Sequence, residues 1–259
     1  MPRAVVTGAG RGLGAAIAGH LRAAGYDVTA TDISGAEHLL DVRDADACRA
    51  LARSVQPDVW VNNAGVLGAG DAATQGDEVI DSIVAVNLLG VIHGTRAAVE
   101  VMRKRDGGRG RGHIVNIGSL ASWVPVPGEC VYAATKAGVL SFTLGLEGEL
   151  RAQGVTGVRL SVVCPDGMLT PMITDILDDP AVAMTFTGLR PTTPDRVANA
   201  VIGVLRRPRR IVSVPRWRGA QVRLIGAIPD VVLRAAPIFT RLGRAQQDRI
   251  RRGLESGRR

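Results

Sequence analysis

Aromatic residues are scarce in this sequence: three Trp, two Tyr and three Phe among 259 positions. Any core must therefore be filled with Val, Leu, Ile and Ala. Cysteine is equally rare. Cys48, Cys130 and Cys164 are odd in number and far apart. That excludes a disulfide framework and a cysteine zinc site, and fits reduced thiols in a cytoplasmic setting. His20, His38, His93 and His113 show no partner spacing, so no metal is expected. No apolar run reads as long enough to span a bilayer, since the best candidate is interrupted by Asp230 and Arg234. Nothing before the first strand-like run resembles an export segment, so the expected location is cytoplasmic. Lysine occurs only at Lys104 and Lys136, and Arg serves everywhere else.

What is present describes a folded chain. Hydrophobic residues make up 46% and charged residues 22%, which suits one large α/β domain. The net charge of +8 is unevenly spread. Residues 206–259 carry 15 Arg against Asp230, Asp248 and Glu255, a local excess of +12 that leaves the rest at −4.

Short apolar runs alternate with helical patterns. "AVVTG" (4–8), "DVTATD" (27–32), "HLLDV" (38–42), "DVWVNNAG" (58–65), "HIVNIGS" (113–119), "VRLSVVCP" (158–165) and "RIVSVP" (210–215) read as strands. Between them lie helices: 15–25 stopped by Gly25, 44–54 capped by Asp44, and about 74–103 with Thr74 and Asp77 in a capping-box arrangement. Another carries "YAATK" (132–136) to about Gln153, and a last one spans 194–207. Such alternation implies right-handed βαβ units and a parallel sheet covered on both faces.

"TGAGRGLG" (7–14) joins the first strand to the first helix. A chain that turns sharply and admits a pyrophosphate needs glycine here, because side chains would block the approach. The helix N-terminus adds amide donors and a positive dipole. A tight turn that merely needs Gly is the plainer alternative, but the strand–loop–helix context favours phosphate binding. The fold class is therefore α/β, a Rossmann-type, doubly wound, seven-stranded parallel sheet with a basic C-terminal extension. Asp32 ends the second strand, 18 residues after Gly14. An acid there accepts from the adenosine ribose hydroxyls and repels a 2′-phosphate. Arg11, inside the loop, would instead attract that phosphate. The strand-end position carries more weight, so NAD is expected over NADP.

"TGAGRGLG", "LDV" (40–42), "NNAG" (62–65), Asn87 in "VNLLG", Ser119 and "YAATK" stand in the order and spacing of a known family. Over about residues 3–215 the chain resembles the single-domain branch of the short-chain dehydrogenase/reductase family. The resemblance implies that Gly8, Gly12, Leu13 and Gly14 lie against the pyrophosphate. It places Asp41 and Val42 at the adenine, with Asp32 and Ile33 also on the cofactor. Asn63, Ala64 and Gly65 would line the cleft. Asn87, Ser119, Tyr132 and Lys136 would form the catalytic tetrad, the last two also touching the cofactor. It also implies a homodimer or homotetramer formed through the long helices flanking the fifth strand.

Elementary chemistry agrees with these roles. Free tyrosine ionises near pH ~10, too high for a good base at neutrality. Tyr132 and Lys136 are four apart, on one face of a helix, so the ammonium is expected to lower the phenol's pKa. Ser119 would polarise a carbonyl oxygen. Asn87 would hold a water linking Lys136 to bulk; alone, it would merely satisfy backbone in a helix bend.

The chain departs from the family after the sixth strand, at "CPDGMLTPM" (164–172). Pro165 is kept, but Asp166 stands where the family has Gly. Thr170 and the Met168 backbone remain placed to bond the nicotinamide carboxamide. Asp166 reads as an exposed loop acid, or else as a residue that shapes substrate choice. Residues 171–194 are the expected substrate lid, carrying Met172, Ile173, Ile176, Leu177, Met184 and Phe186. Trp123, Val124 and Val126 would face the same pocket. Such a lining, without a basic cluster, suggests a hydrophobic alcohol or ketone.

Residues 1–215 thus read as the dinucleotide-binding and catalytic domain, and 216–259 as a basic, partly helical extension broken by Pro229 and Pro237. The extension suits a peripheral contact with an anionic membrane, an arm on a neighbouring subunit, or a cover over the active site. Nucleic acid is not expected, because no aromatic residues interleave the arginines. The expected function is an NAD-dependent oxidoreductase interconverting a hydrophobic secondary alcohol and a ketone, with Tyr132 as acid and base. The alternatives are an NADPH-dependent ketoreductase and a non-catalytic cofactor sensor.

Overall fold

A computed structural model describes residues 1–188 and 191–256. Two residues of the expected lid and the last three of the expected tail lie outside the described residues. The strands are β1 (Arg3–Thr7), β2 (Asp27–Asp32), β3 (His38–Leu39), β4 (Val59–Asn62), β5 (Gly112–Ile117), β6 (Val158–Pro165) and β7 (Ile211–Val214). They form one seven-stranded sheet in the order β3-β2-β1-β4-β5-β6-β7. Every pairing is parallel. The order reverses between β1 and β4, which opens a crevice beyond the carboxyl ends of those strands.

Helices cover both faces, as parallel strands require. Helices α1 (Gly12–Ala23) and α7 (Pro194–Arg206), the latter after the short α6 (Pro171–Thr174), bury Ile17, Leu21, Val197 and Val201 on one face. Helices α2 (Ala45–Val55), α4 (Gly90–Met102) and α5 (Cys130–Ala152) bury Cys48, Ala98, Met102 and Leu150 on the other. Asp44 caps α2, accepting from Asp46 N and Ala47 N at 2.9 Å. A buried polar chain also crosses this second face. Trp60 Nε1 donates to Asn62 Oδ1 at 2.7 Å, Asn62 Nδ2 to Asn116 Oδ1 at 2.8 Å, and Asn116 Nδ2 to Thr143 Oγ1 at 2.8 Å. These bonds tie β4 and β5 to α5, and each satisfies a group that would be costly to bury alone.

Three elements differ from the sequence reading. The long helix expected at 74–103 is α3 (Asp77–Val84), a π-turn over Ala85–Leu89, and α4. Gly76, not a capping box at Thr74, precedes α3, and no side chain caps it. Thr74 belongs instead to a turn held by Asp71. The span Asp77–Met102 is also long and apolar enough to cross a membrane, with mean hydropathy 1.4, contrary to expectation. Half of its most apolar window is buried, so this apolarity serves packing against the sheet.

The third difference lies in the C-terminal residues. Helices α8 (Arg216–Gly226) and α9 (Pro229–Ser256) fold back over the same domain. The chain breaks before Pro229 as expected but runs through Pro237. A proline inside a helix costs about 3 kcal/mol; packing of α9 on the segment below offsets it. Gly243 sits so close to the 3-10 helix Pro180–Phe186 that a Cβ there would stand 2.0 Å from Ala183 O. Buried Gln247 donates to Leu177 O at 2.6 Å and to Asp179 O at 2.8 Å. The tail therefore clamps the lid.

Candidate active site

The glycine loop packs too tightly for side chains. Gly8 has φ +65°, and a Cβ there would stand 2.6 Å from Ala64 Cα. A Cβ on Gly14 would stand 2.0 Å from Gly8 O. Asn63 fastens this loop to β4. Its Nδ2 donates to Thr7 O at 3.1 Å and to Gly8 O at 2.9 Å, while Thr7 Oγ1 accepts from Asn63 N and Ala64 N. No side chain caps α1 and no acid lies in its first turn, so its leading amides face the cleft uncompensated. A pyrophosphate fits that cradle.

Asp32 holds the loop from the other side, its carboxylate accepting from Gly10 N at 2.9 Å and Ile33 N at 2.7 Å. Each oxygen keeps a further lone pair for a ribose hydroxyl. Ile33 beside it is 69% exposed, an apolar surface at the cleft mouth. Asp41 is engaged by Arg43, which donates from its backbone N at 2.9 Å and from its guanidinium. That contact, above all, lowers the Asp41 pKa.

A cleft of about 840 Å³ runs from this loop across the ends of the strands. It is lined by Gly8, Arg11, Gly12, Leu13, Gly14, Asp32, Ile33, Asp41, Val42, Asn63, Ala64 and Gly65. Ser119, Tyr132, Lys136, Pro165, Met168 and Thr170 line its inner end. The structure thus gathers the expected site residues into one cavity, with Asn87 just behind it.

Asn87 is buried in the π-turn and turned away from the cleft. Its Oδ1 accepts from Val66 N at 2.8 Å, and its Nδ2 donates to Val66 O at 2.8 Å. Its side chain thus satisfies backbone in the bend, with one lone pair on Oδ1 and one N–H on Nδ2 beyond these bonds. Gly65 lies between it and the lysine: a Cβ there would be 3.2 Å from Asn87 Oδ1 and 3.8 Å from Lys136 Nζ.

β5 ends at Ile117, so Ser119 leaves the sheet and starts the 3-10 turn Leu120–Ser122, its Oγ accepting from Ala121 N at 3.1 Å. Tyr132 and Lys136 come from the first turns of α5. Lys136 Nζ donates to Ile117 O at 3.1 Å and lies 5.5 Å from the Tyr132 ring centroid. The pKa directions differ from the sequence expectation. Burial pushes the Tyr132 phenol above its ordinary value, the Glu129 charge adds to this, and Ser119 opposes it. Burial also brings Lys136 down to about 8. Desolvation of the buried phenol is the largest effect on its proton affinity.

The substrate end corrects two further expectations. Asp166 is not an exposed loop acid. It lines the cleft and pairs with Arg218 of α8 at 3.4 Å. A cation therefore does reach this end, though it is already neutralised. Val124, Val126, Met172, Ile173, Ile176 and Met184 line the cavity as expected, joined by Val222, Ile225, Val232 and Phe239 of the tail. Trp123 faces elsewhere, under Arg223 at 4.3 Å, and Leu177 and Phe186 pack inside the lid. Glu129 also lines the cavity, 4% exposed, and no sequence motif pointed to it. Its place three residues before Tyr132 was the one available signal.

The arrangement defines a dinucleotide-binding α/β protein with a Ser–Tyr–Lys group at the inner end of its cleft. Known proteins resemble this chain. A family model described as short chain dehydrogenase matches residues 2–181. Probable oxidoreductase EphD of Mycobacterium tuberculosis is 31% identical over 252 residues, covering 81% of this chain. This chain spans only 40% of that protein's length. 2-(R)-hydroxypropyl-CoM dehydrogenase of Xanthobacter autotrophicus is 35% identical over 203 residues, covering 68% of this chain and 78% of that one. Among solved structures, a short chain dehydrogenase/reductase from Burkholderia phymatum in complex with NAD matches with a TM-score of 0.74. It is 25% identical, covering 86% of this chain and 92% of that one. An actinorhodin polyketide ketoreductase with NADPH matches with a TM-score of 0.72 at 28% identity, covering 82% and 95%. The chain belongs to the short-chain dehydrogenase/reductase family.

Proposed function

We propose that this protein is an NAD-dependent oxidoreductase that interconverts a hydrophobic secondary alcohol and a ketone. The observation that carries this reading is the placement of Ser119, Tyr132 and Lys136 at one end of the cleft that the glycine loop opens. A bound nicotinamide supplies or accepts the hydride. The chain's own groups handle the proton and the geometry. Tyr132 holds its proton at Oη, where burial keeps it, and would give it to the substrate oxygen in reduction; in oxidation Oη must first be ionised, and then takes the alcohol's proton. Ser119 Oγ donates to the same oxygen. Lys136, anchored on Ile117 O, keeps a positive charge beside the ring and would hold the ribose of a bound cofactor.

The cofactor choice rests on charge at the adenosine end. Asp32 occupies the position that meets the ribose hydroxyls. Arg11 pairs with Asp175 at 3.3 Å and Arg43 with Asp41, so a 2′-phosphate would have to compete with a carboxylate for either guanidinium. The substrate class rests on the Met, Val, Ile and Phe lining. A homodimer or homotetramer through α4 and α5 follows the family pattern. The outer face of the tail exposes Leu224, Ile228, Ile238 and Leu242 among its arginines, which supports peripheral contact with an anionic membrane. Retention in the soluble fraction after flotation with anionic vesicles would remove that contact.

The first test supplies NAD, then NADP, with a panel of hydrophobic secondary alcohols and follows nicotinamide reduction, with Tyr132→Phe in parallel. Turnover with NAD that falls ~100-fold or more in the variant supports the reading. Saturable cofactor binding without turnover of any alcohol or ketone favours a sensor. Faster turnover with NADP moves the protein to the ketoreductase alternative.

A further inference from the structure

Glu129 has no part in the chemistry above, yet its carboxyl stands in the substrate cavity. It precedes α5 as its N-cap residue, three positions before Tyr132, so both side chains flank the first turn of one helix. The residue is 4% exposed. Among the described residues its carboxyl makes one hydrogen bond, accepting at Oε1 from the Thr185 hydroxyl of the lid. No described cation pairs with it; Arg218, which also lines the cavity, pairs with Asp166. Burial raises its pKa to about 7, with the Thr185 bond acting the other way. A buried acid without a cation is a costly group to keep in an apolar cavity. Acids of this kind concentrate where a ligand meets them.

We infer that Glu129 and Thr185 form a subsite for a second, uncharged oxygen on the substrate, a hydroxyl or an ester or amide carbonyl. Placed this way, the reacting carbon meets Tyr132 while the second oxygen lies one helical turn away, about 5 Å, a separation of a few carbons. A carboxyl there serves either partner: it accepts from a hydroxyl, and its acid form donates to a carbonyl. A carboxylate on the substrate is disfavoured, because Glu129 repels it and Arg218 is already neutralised by Asp166. The inference rests on the oxidoreductase reading for the position of the reacting carbon.

The test uses three probes: a linear methyl ketone, the same ketone with a hydroxyl a few carbons from the carbonyl, and the keto acid of equal length. Calorimetry measures their binding to the protein–NADH complex, and kcat/KM is measured in parallel. The native protein is expected to prefer the hydroxy ketone over the plain ketone by ~10-fold or more, with the keto acid last. In Glu129→Leu the preference collapses toward unity. In Glu129→Gln, which keeps a donor and an acceptor, it survives and loses its pH dependence. NADH affinity, measured first, shows that each variant is folded. An equal preference in native protein and Glu129→Leu, or no binding of the hydroxy ketone, overturns the subsite. Binding that shows the preference without turnover keeps the subsite and sinks the oxidoreductase reading instead.

Discussion

Arg218 of α8 reaches Asp166, at the end of β6, across 3.4 Å, and both side chains are largely buried, at 14% and 15% exposure. Arg218 Nη2 also donates to Thr187 Oγ1 at 3.0 Å. One guanidinium thus joins the tail, the lid and the loop at the inner end of the cleft.

Removing one partner of this pair leaves the other charge buried. Arg218→Ala and Asp166→Ala are each expected to cost about 3–5 kcal/mol in urea unfolding. The double variant Asp166→Asn, Arg218→Gln should recover much of that loss. Additive losses would mean that the two charges do not stabilise one another.

Asn87 satisfies both backbone groups of Val66 where the helix loosens. Asn87→Leu strands a part-buried N–H and C=O of Val66, an expected loss of about 1–2 kcal/mol. The unfolding midpoint should fall even in the absence of cofactor. An unchanged midpoint with lost turnover would return the residue to a purely catalytic role.

Glu129 makes stability depend on pH in a defined window. Its pKa rises from 4.5 to about 7 on folding, so between those values the folded state holds a proton that the unfolded state has lost. The associated stability is present in full below 4.5 and disappears as pH rises through about 7. The difference in unfolding free energy between native protein and Glu129→Gln should shrink by about 3 kcal/mol across that window. His113, whose burial lowers its pKa to about 4, destabilises toward acid in both proteins and so cancels from the comparison. A flat difference would show that Glu129 ionises normally in the folded protein.

Asp32 holds the glycine loop and, in the proposed reading, would meet the cofactor's ribose. Asp32→Ala should therefore weaken NAD binding by ~10-fold, about 1.4 kcal/mol, while narrowing the preference over NADP. Titrations of both cofactors check this. A variant that loses NAD affinity but keeps the full preference would assign discrimination elsewhere.

Much of this protein was legible from local pattern. "TGAGRGLG" between a strand and a helix, Asp32 at a strand end and the Tyr132–Lys136 spacing each depend on a few neighbouring residues. Backbone geometry makes such short patterns informative. Glycine is required where Gly14 meets the Gly8 carbonyl, and residues four apart on a helix share a face. The alternation of apolar runs likewise implied the parallel sheet, since both of its faces must be covered.

The sequence by itself determined the sheet, the tight glycine loop and the Tyr132–Lys136 pair. Tertiary structure alone decided which way the remaining polar groups face. Asp166 and Arg218 are 52 positions apart, and no spacing rule links them. Asn87 turns to Val66 because a π-turn shifts its helix register. Glu129 became an unpaired acid only when the lid and tail closed over it. Burial depends on the whole packed chain, and it sets the proton affinity of every group in the cleft, so its effects could not be read locally.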